Sequence, residues 1–440
     1  MPNKKLIFTI CARNYYGLTK VLKRSIEAWN PGVEFFVFIA DGIPMHEHDA
    51  FGSDAIDATV ALKSYIGNEK LVEMAFKYNL TEFCTAIKPF CFQYLFNTAD
   101  VNQIIYLDPD VFVFSSMTPI FEKLVIASIV VTPHILFPSS MEGKRSDKGI
   151  MATGIFNLGF IGLRRSEIGR SFANWWGQRL LDQCFVDNYD ALFTDQKWVD
   201  FLPALFPAED ICVLRHVGTN LAPWNFHERQ AFSDTNGRLF VKRRLDPDEK
   251  IFLDKNRLPE PLIFVHFSGF DYKGLCNGLI AQNNIDGLKI YPDLQPLVDQ
   301  YMLAIKSQKD AVLKFLDLHY LYATFQDGSL VAAFHRRLYR SAVESGLSVG
   351  NPFVTGAGSF HQKLAESRLL VKQSKIAQVD KSNKFNLSGI GFKLSLFNKG
   401  MRFLLRIIGT HNYLLLLRLM RPYSRAESQL HLIDPAKVKL

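Results

Sequence analysis

The sequence predicts an α/β protein in which helices flank a mostly parallel sheet, followed by a helical C-terminal extension. The main observation is a βαβ opening, in which apolar runs at 5–10 and 34–42 enclose a segment with apolar residues at helical spacing. Further short runs, rich in β-branched and aromatic residues, end in polar side chains, as is typical of buried strands that meet a ligand at one sheet edge. The 440-residue chain is 48% hydrophobic and 21% charged, a composition that can bury a core.

The elements are justified in order along the chain. A strand at 5–10 and a loop at 11–17 precede a helix that Asn30-Pro31-Gly32 ends, and a second strand follows at 34–42. Residues 69–98 are predicted to be helical in two pieces, because Pro89 favours a new helix start. Further strands are expected at 103–107, 111–114, 127–132 and 154–163 and from 262 to His266, and further helices at 166–181, 292–319 and 330–347. This order indicates a Rossmann-like arrangement.

Two acids, Asp108 and Asp110, stand between the apolar runs at 103–107 and 111–114. A carboxylate at the end of a buried strand needs a partner, because an unpaired buried charge is costly. Mg²⁺ and Mn²⁺ take carboxylate oxygens and leave positions open for substrate phosphates, so the pair is a candidate metal site for a diphosphate ligand. An Asp-Pro turn between two strands explains the same residues equally well.

Nucleotide binding is predicted at the carboxyl edge of the βαβ unit. Tyr15 or Tyr16 could stack on a base and Asp41 could accept a hydrogen bond from a base or ribose, although a plain turn acid before Gly42 is an equal alternative. The opening contains neither GxGxxG nor GxxxxGK[ST], so a bound diphosphate would need a metal. Lys88, at a helix start, could reach a phosphate or remain a solvated surface lysine.

Later residues add four candidates. Residues 138–150 are polar and contain glycine, which predicts a mobile loop that could cover the site. Asn157, inside the strand at 154–163, either faces a ligand or is a hydrogen-bonded structural amide. Thr194 is expected to cap a short helix with Asp195 in its first turn. His266, at a strand end, is either a third metal ligand or a hydrogen-bonded core histidine.

Charge is distributed unevenly along the chain. Residues 331–440 contain 18 Lys and Arg against 5 Asp and Glu, a net charge of +13, whereas residues 1–330 carry −5. A nucleic-acid enzyme needs positive charge in its body, so no nucleic-acid partner is expected. Two short apolar segments, 403–408 and 413–420, are separated by 409–412 and flanked by basic residues. They predict either peripheral contact with an anionic membrane through 399–425 or helices packed on the catalytic domain.

The predicted domains are a catalytic domain at 1–275, a helical region packed on it at 276–350, and a basic, partly amphipathic extension at 351–440. No uncharged apolar run reaches 18 residues, so no spanning helix is expected. The N-terminus lacks the apolar stretch of a signal peptide, and the six cysteines are scattered without CxxC pairs. We therefore expect a cytoplasmic protein, either free or peripheral on the inner face of the cell membrane.

Six segments together resemble nucleotide-sugar glycosyltransferases of the GT-A fold. The similarity is to family 8, which includes glycogenin and bacterial lipopolysaccharide galactosyltransferases, and in particular to a bacterial branch of it. It extends from about residue 6 to residue 271 and rests on segments that occur in the same order. The segments are ICARNY (10–15), YLDPD (106–110), FNLGFIGL (156–163), TDQKWVDFLPALF (194–206), NLAPWNFHER (220–229) and HFSGFD (266–271).

The resemblance implies roles for most of the candidate residues. Asp108, Asp110 and His266 would bind Mn²⁺ or Mg²⁺. Contacts with the nucleotide are implied for Thr9, Tyr15 and Lys88, and contacts near the sugar for Asn157, Asp195 and Gln196. Asp41, from the strand end, and Gly269, in the last segment, are further candidates for nucleotide binding. Two departures from the family pattern stand out: Tyr272-Lys273-Gly274 replaces a common Lys-Pro-Trp, and Lys88 replaces a common arginine, which exchanges a fork of donors for a point charge.

The expected function is transfer of a hexose from a nucleotide diphosphate sugar, with a UDP-sugar as donor, to a glycan or lipid-linked acceptor. The resemblance implies retention of configuration and a place in surface polysaccharide or lipopolysaccharide assembly. Asp195 could act as a nucleophile, as carboxylates do in retaining glycosidases, although a front-face reaction needs none. The alternatives are a sugar nucleotidyltransferase, expected to carry a glycine-rich phosphate loop, and a non-catalytic sugar-nucleotide-binding protein, expected to lack the paired acids.

Overall fold

The computed structural model describes residues 4–138, 146–244, 258–285, 287–347, 349–371 and 390–434. The chain forms two compact units, one of residues 1–68 and 80–320 and the other of residues 69–79 and 321–440. The three-part division at 275 and 350 stays a prediction. Most of the predicted lid segment, 139–145, lies outside the described residues, and residues 147–153 form a short helix rather than a loop.

The strands confirm the predicted α/β class. They are β1 (Lys5–Cys11), β2 (Glu34–Ile39), β3 (Ala55–Asp57), β4 (Gln103–Leu107), β5 (Val111–Val113), β6 (Ile129–Pro133), β7 (Phe156–Arg164), β8 (Val186–Asp187), β9 (Leu192–Phe193), β10 (Ile211–Val213), β11 (Arg229–Ser233), β12 (Leu239–Arg243), β13 (Glu260–Pro261) and β14 (Phe264–His266). A seven-stranded sheet has the order β10-β6-β7-β4-β1-β2-β3. Its pairs are parallel except those that β7 makes with β4 and β6.

The helices flank this sheet and continue into the second unit. They are α1 (Tyr16–Trp29), α2 (Ala58–Ala61), α3 (Lys63–Ile66), α4 (Asn68–Lys77), α5 (Leu80–Ala86), α6 (Lys88–Thr98), α7 (Thr118–Ile126), α8 (Asp147–Thr153), α9 (Glu167–Leu180), α10 (Gln196–Val199), α11 (Leu202–Leu205), α12 (Tyr272–Cys276), α13 (Gln295–Ser307), α14 (Lys309–Leu316), α15 (Ala333–Glu344), α16 (Phe360–Glu366) and a C-terminal helix (Ile390–Met420).

The opening folds as its sequence pattern predicts. The apolar face of α1, with Leu18, Leu22 and Ile26, is buried, and the helix ends where Asn30 donates its backbone N–H to Ile26. Strand β2 is shorter than predicted, because the chain turns after Ile39 and Gly42 adopts a φ of +84°. Such a turn favours glycine, which has no Cβ to clash.

Three further local predictions are wrong. Residues 292–319, expected as one helix, form α13 and α14 on either side of Gln308. Residues 69–98 form three helices rather than two, since α4 and α5 are separated before α6 begins at Lys88. Thr194 does not cap the next helix, because it has a φ of +47° and Asp195 occupies the N-cap position without a capping hydrogen bond. A positive φ at a non-glycine residue is a strained conformation that is concentrated at functional sites.

A short antiparallel pair, β5 with β14, forms a separate two-stranded sheet and brings the strand that ends at His266 next to the strand that follows Asp110. Its register places Val111 opposite His266 and Val113 opposite Phe264. Strand β7 also contributes, because its pairing with β6 shifts between Val131 and Thr132 and leaves a bulge beside Gly159. Bulges of this kind are common next to active sites, where they redirect side chains.

The second unit is helical and has its own core around Phe76, Leu338 and Phe360. The guanidinium of Arg336 joins its two chain segments by donating to the carbonyls of Ala75, Phe76 and Tyr78 at 2.7–3.1 Å. Ala75 and Phe76 lie in the last turn of α4 and Tyr78 directly follows it, where backbone acceptors lack helical partners.

The C-terminal helix differs from its prediction. Residues 403–408 and 413–420 were expected as two segments with a break over 409–412; only Gly409 is non-helical, with a φ of +77° and a ψ of 164°. The helix is long and apolar enough to cross a membrane by length and composition, contrary to the expectation that no helix would be. Its described side chains are largely exposed, including Phe392, Phe403 and Ile407.

Candidate active site

The candidate metal ligands converge, as predicted. Oxygens of Asp108 and Asp110 and a nitrogen of His266 all lie within 4.8 Å of one another. His266 Nε2 is 3.0 Å from Asp110 Oδ1 and 3.5 Å from Asp108 Oδ2. Two carboxylates and an imidazole are a donor set that suits divalent Mn²⁺ or Mg²⁺. The residues therefore fit the ion that the resemblance implies.

Backbone hydrogen bonds hold the two aspartates at the edge of the sheet. The N–H of Asp108 donates to the carbonyl of Gly159 at 2.9 Å, which ties the end of β4 to β7. The carbonyl of Asp110 accepts from Phe267 at 2.9 Å, directly after His266. Asp108-Pro109-Asp110 thus forms the predicted turn and also presents both carboxylates to His266, so the turn and the candidate metal site coexist.

The cluster perturbs the titration of its own members. Burial opposes the charged form of His266, but the carboxylate of Asp110 raises the pKa of His266 above its ordinary value. Burial likewise acts to raise the pKa of Asp110, yet its ion pair with His266 lowers that pKa overall. Without a metal, the ion pair with Asp110 therefore favours the protonated form of His266 relative to a free imidazole. A bound divalent ion would replace this proton, because metal binding needs a neutral imidazole.

Gly159 leaves the space that the His266 ring occupies. A Cβ built on Gly159 would lie 2.5 Å from His266 Nδ1 and 2.9 Å from Asn157 Oδ1. Real Cβ atoms essentially never come this close to other atoms. Glycine at this position is therefore required by the close approach of strand β7 to the imidazole.

The cluster opens into a cavity of about 710 Å³, a volume typical of small-molecule sites. Seven of the candidate residues line it together: Lys88, Asp108, Asp110, Asn157, Asp195, Gln196 and His266. This juxtaposition draws on α6, the β4–β5 turn, β7, α10 and β14. Residues far apart in the sequence thus share one cavity at the edge of the sheet, as parallel-sheet topology leads one to expect.

Lys88 is not the solvated surface lysine that was the alternative expectation, since only 1% of it is exposed. Its Nζ lies 2.6 Å from Asp195 Oδ2, donates to the Leu158 carbonyl at 2.8 Å, and sits 4.2 Å from the centre of the Tyr106 ring. Asp195 is itself 2% exposed, and its Oδ1 accepts from the Thr194 hydroxyl at 3.2 Å. A buried ion pair of this kind needs such additional hydrogen bonds to offset desolvation.

Asn157 belongs to a network of polar side chains on the cavity wall. Its Oδ1 accepts from the Gly159 N–H at 3.1 Å and from Asn220 Nδ2 at 3.1 Å, and its Nδ2 lies 3.4 Å from His134 Nε2. Gln196 donates to the Thr153 carbonyl at 2.7 Å. Asn157 is therefore hydrogen-bonded within the protein and also lines the cavity. Both alternatives stated for it, a structural amide and a residue that faces a ligand site, are compatible with this position.

The remaining nucleotide candidates lie apart from this cavity lining or at its border. Thr9 is fully buried in β1, and its hydroxyl has no hydrogen-bond partner. Tyr15 packs edge-on against Tyr272, with ring centres 5.8 Å apart. Asp41 accepts from the Arg13 N–H at 2.8 Å. Gly269 has a φ of +82° and follows Ser268, which lines the cavity. Their contacts with a nucleotide stay predictions.

Lys273 is directed away from the cluster. Its Nζ pairs with Asp317 at 2.9 Å, and 61% of its side chain is exposed. Tyr272 is turned inward instead, and its hydroxyl lies 3.4 Å from Asp110 Oδ2. The departure noted at 272–274 therefore puts a neutral hydroxyl, rather than a lysine, beside the candidate metal centre.

His134 and Trp224 are among the cavity-lining residues that sequence reasoning missed. The indole of Trp224 stands edge-on to His134 and His266, with ring centres 5.4 and 5.1 Å apart. Asn225 fixes this loop by donating to the carbonyls of His134 and Asn220. Trp224 lies within the segment 220–229 that carried the resemblance, so its place in that motif was the available signal. His134 follows the buried run 129–133 and had no comparable signal.

Comparison with known proteins gives partial matches. No protein-family profile matches the chain. It is 28% identical over 204 residues to Uncharacterized protein YfnF of Bacillus subtilis (strain 168) and 30% identical over 192 residues to Uncharacterized protein YfnD of the same organism. The alignments cover 46% and 43% of this chain, and 61% and 54% of the relatives. The chain thus spans less than two thirds of either relative.

Among solved structures, the chain is similar to glycosyltransferases. It matches the galactosyltransferase LgtC in complex with donor and acceptor sugar analogs at 18% identity and a TM-score of 0.39, covering 69% of this chain and 95% of that one. It matches the bifunctional glycosyltransferase WbbM at 12% identity and a TM-score of 0.36, covering 72% and 52%. The glycosyltransferase GlyE of Streptococcus pneumoniae TIGR4 follows at 18% and 0.32, covering 49% and 46%. These scores are too low to assign an activity, which depends on the site itself.

Proposed function

We propose that the protein is a metal-dependent glycosyltransferase that moves a hexose from a UDP-sugar to a glycan or lipid-linked acceptor. The observation that carries the proposal is the Asp108, Asp110 and His266 cluster at the rim of a cavity of about 710 Å³. Asp195, Gln196 and Asn157 line the same cavity and suit the hydroxyl groups of a sugar. A metal centre for the diphosphate and polar groups for the sugar are the two parts that such a donor requires.

The charge of the cavity supports a metal-bound diphosphate. Its described lining carries the carboxylates of Asp108, Asp110 and Asp195 and one ammonium, that of Lys88. Lys88 already pairs with Asp195, and the imidazole of His266 can offset one charge at most of the two carboxylates at 108 and 110. The excess negative charge at these carboxylates repels an anionic ligand. When bound, a divalent ion supplies the charge neutralisation that lets a nucleotide diphosphate depart.

At the sugar end, we propose that Asp195 and Gln196 orient the hexose. The ammonium of Lys88 fixes Asp195 Oδ2, and the Thr194 hydroxyl reaches Oδ1, so both carboxylate oxygens already accept hydrogen bonds. These contacts stabilise the ionised carboxylate and hold it in one orientation, which suits acceptance of a sugar hydroxyl better than attack on the anomeric carbon. Retention of configuration, implied by the resemblance, would then proceed without Asp195 as nucleophile.

The test is turnover of a panel of UDP-sugars with Mn²⁺, followed as released UDP, with Asp110→Ala as the variant. We expect turnover in the wild type and its loss in the variant, because two ligands hold the ion poorly. The surface variant Asp317→Ala, whose carboxylate pairs with Lys273 on the exterior, serves as control. If Asp110→Ala released UDP at the wild-type rate, the hypothesis that a metal at Asp108, Asp110 and His266 is needed for transfer would be refuted.

The same assay separates the alternatives. Release of pyrophosphate instead of UDP would identify a sugar nucleotidyltransferase. Binding of UDP-sugars without release of either product, with every acceptor class supplied, would favour the non-catalytic binding protein. The paired acids favour the transferase over the binding protein, because Asp108 and Asp110 occupy the cavity rim with an imidazole between their oxygens.

We further propose that the C-terminal helix contacts an anionic membrane, consistent with a lipid-linked acceptor and a place on the inner face of the cell membrane. The helix exposes apolar side chains such as Phe397, Phe403 and Ile407 beside the cations Lys399 and Arg402. Binding to vesicles with and without anionic lipid tests this contact. Phe403→Asp together with Ile407→Asp should abolish vesicle binding while UDP release from a soluble acceptor continues.

A further inference from the structure

A tyrosine hydroxyl stands behind each of the two candidate metal carboxylates. The hydroxyl of Tyr106, near the end of β4, donates to Asp108 Oδ1 at 2.5 Å. The hydroxyl of Tyr272, the first residue of α12, lies 3.4 Å from Asp110 Oδ2, a long hydrogen bond in which the carboxylate oxygen can only accept. Both tyrosines are buried, with 2% and 8% of their surface exposed.

In each carboxylate, one oxygen faces His266 and the other faces a tyrosine hydroxyl. On Asp108, Oδ2 faces His266 Nε2 at 3.5 Å while Oδ1 receives the hydroxyl of Tyr106. On Asp110, Oδ1 faces His266 Nε2 at 3.0 Å while Oδ2 receives the hydroxyl of Tyr272. One oxygen of each carboxylate is therefore occupied from behind, and the other is turned towards the imidazole nitrogen that would share an ion with it.

Packing fixes both tyrosine rings. Tyr106 packs edge-on against Phe8 with ring centres 5.2 Å apart, and the Lys88 ammonium lies over its face at 4.2 Å. Tyr272 packs edge-on against Tyr15. Rings held in this way cannot swing their hydroxyls aside without losing aromatic and cation–π contacts, so the donors are preorganised.

The two tyrosine hydroxyls are also uncharged, so they do not compete with a divalent cation for the aspartates as a lysine would. Among the described residues that line the cavity, the ammonium is that of Lys88, engaged by Asp195 and by the Leu158 carbonyl. Lys273, next to Tyr272, pairs with Asp317 on the exterior. A lysine in place of Tyr272 would compete with a divalent ion for Asp110, whereas a hydroxyl orients the carboxylate and leaves its charge for the ion.

We propose that Tyr106 and Tyr272 are positioning residues of the candidate metal centre, which orient one oxygen of each aspartate towards the ion and make nucleotide binding depend on that ion rather than on a protein cation. This inference rests on the proposed function, because it requires a divalent ion at Asp108, Asp110 and His266. Hydrogen bonds to ligating carboxylates commonly change metal affinity by about 10- to 100-fold.

The test is Mn²⁺ binding to the full chain without nucleotide, followed by the electron paramagnetic resonance signal of free Mn²⁺. Tyr272→Phe and Tyr106→Phe keep the rings, and we expect each to weaken Mn²⁺ binding about 10-fold. Tyr339→Phe, which removes a buried hydroxyl from the core of the second unit, should leave Mn²⁺ affinity unchanged. Affinities within twofold of the wild type in both Tyr272→Phe and Tyr106→Phe would overturn the inference.

Two further variants complete the design. Asp110→Ala separates this inference from the proposed function: if the wild type binds Mn²⁺ no better than Asp110→Ala does, the metal site itself fails, and the inference with it. If the wild type binds Mn²⁺ and Asp110→Ala does not, the metal site exists, and the affinities of the two tyrosine-to-phenylalanine variants then test the inference separately. Tyr272→Lys should bind Mn²⁺ more weakly than Tyr272→Phe and bind UDP more tightly without metal; wild-type Mn²⁺ affinity in Tyr272→Lys would contradict the need for a neutral donor.

Discussion

Replacing Gly159 by alanine should damage the candidate metal centre from the side opposite the aspartates. The new Cβ would lie 2.5 Å from His266 Nδ1, whereas non-bonded contacts of this kind settle near 3.5 Å, so the ring must move by about 1 Å. Metal–ligand distances tolerate deviations of only about 0.2 Å. Because Nδ1 faces Gly159 and Nε2 faces Asp110, a push on one edge of the ring displaces the ligating nitrogen at the other.

We expect Gly159→Ala to lower Mn²⁺ affinity by about 10- to 100-fold, the range found when the support of a metal ligand is lost. Overpacking should also cost about 1–3 kcal/mol of unfolding free energy. Isothermal titration with Mn²⁺ and urea denaturation measure the two effects separately. The affinity loss, and not the stability loss, is the specific expectation.

Gly162→Ala is the matched control on the same strand. Its Cβ would meet Leu124 Cδ1 at 3.0 Å, and a leucine side chain can shift without touching the cluster. This variant should lose some stability and keep wild-type Mn²⁺ affinity. If Gly159→Ala bound Mn²⁺ as tightly as the wild type, or if Gly162→Ala lost affinity to the same extent, the steric reasoning would be refuted.

Three other predictions follow from buried charge. Lys88→Met leaves Asp195 buried without its cation and should destabilise the fold by about 3–5 kcal/mol in urea denaturation, whereas Lys273→Met, at an exposed pair, should leave the unfolding free energy nearly unchanged. In metal-free protein, the raised pKa of His266 stabilises the fold fully below about pH 6.5, and that contribution is lost as the pH rises through the raised value. The difference in unfolding free energy between wild type and His266→Gln should therefore be larger at pH 6 than at pH 9; an equal difference would contradict the ion pair. Arg336→Met leaves three backbone carbonyls without their shared donor and should lower unfolding free energy by about 2–5 kcal/mol in denaturant melts. Arg368→Met, at an exposed arginine of the same unit, is the control and should have a much smaller effect.

Local sequence pattern was enough for much of the sheet and for part of the site. The runs that became β1, β4 and β7 are apolar over a length that suits buried strands, and Asp108 and Asp110 mark the end of β4 directly. These features could be predicted from the sequence because each depends only on residues that are neighbours along the chain. The errors at 69–98 and Thr194 are also local. At 69–98 the helical segment is interrupted between α4 and α5, and at Thr194 the backbone adopts a positive φ, so in both places the backbone departs from the conformation that local residue propensities favour.

By itself, the sequence determined the α/β class, the acid pair at a strand end, and the basic character of the C-terminal part. Only the tertiary structure decided which partners those acids have. The pairing of β5 with β14 brings His266 beside Asp110, and the packing of α6 against the sheet buries Lys88 on Asp195. Periodicity records which face of an element is buried, but contacts between distant segments depend on sheet register and packing, and these leave no mark in the local sequence.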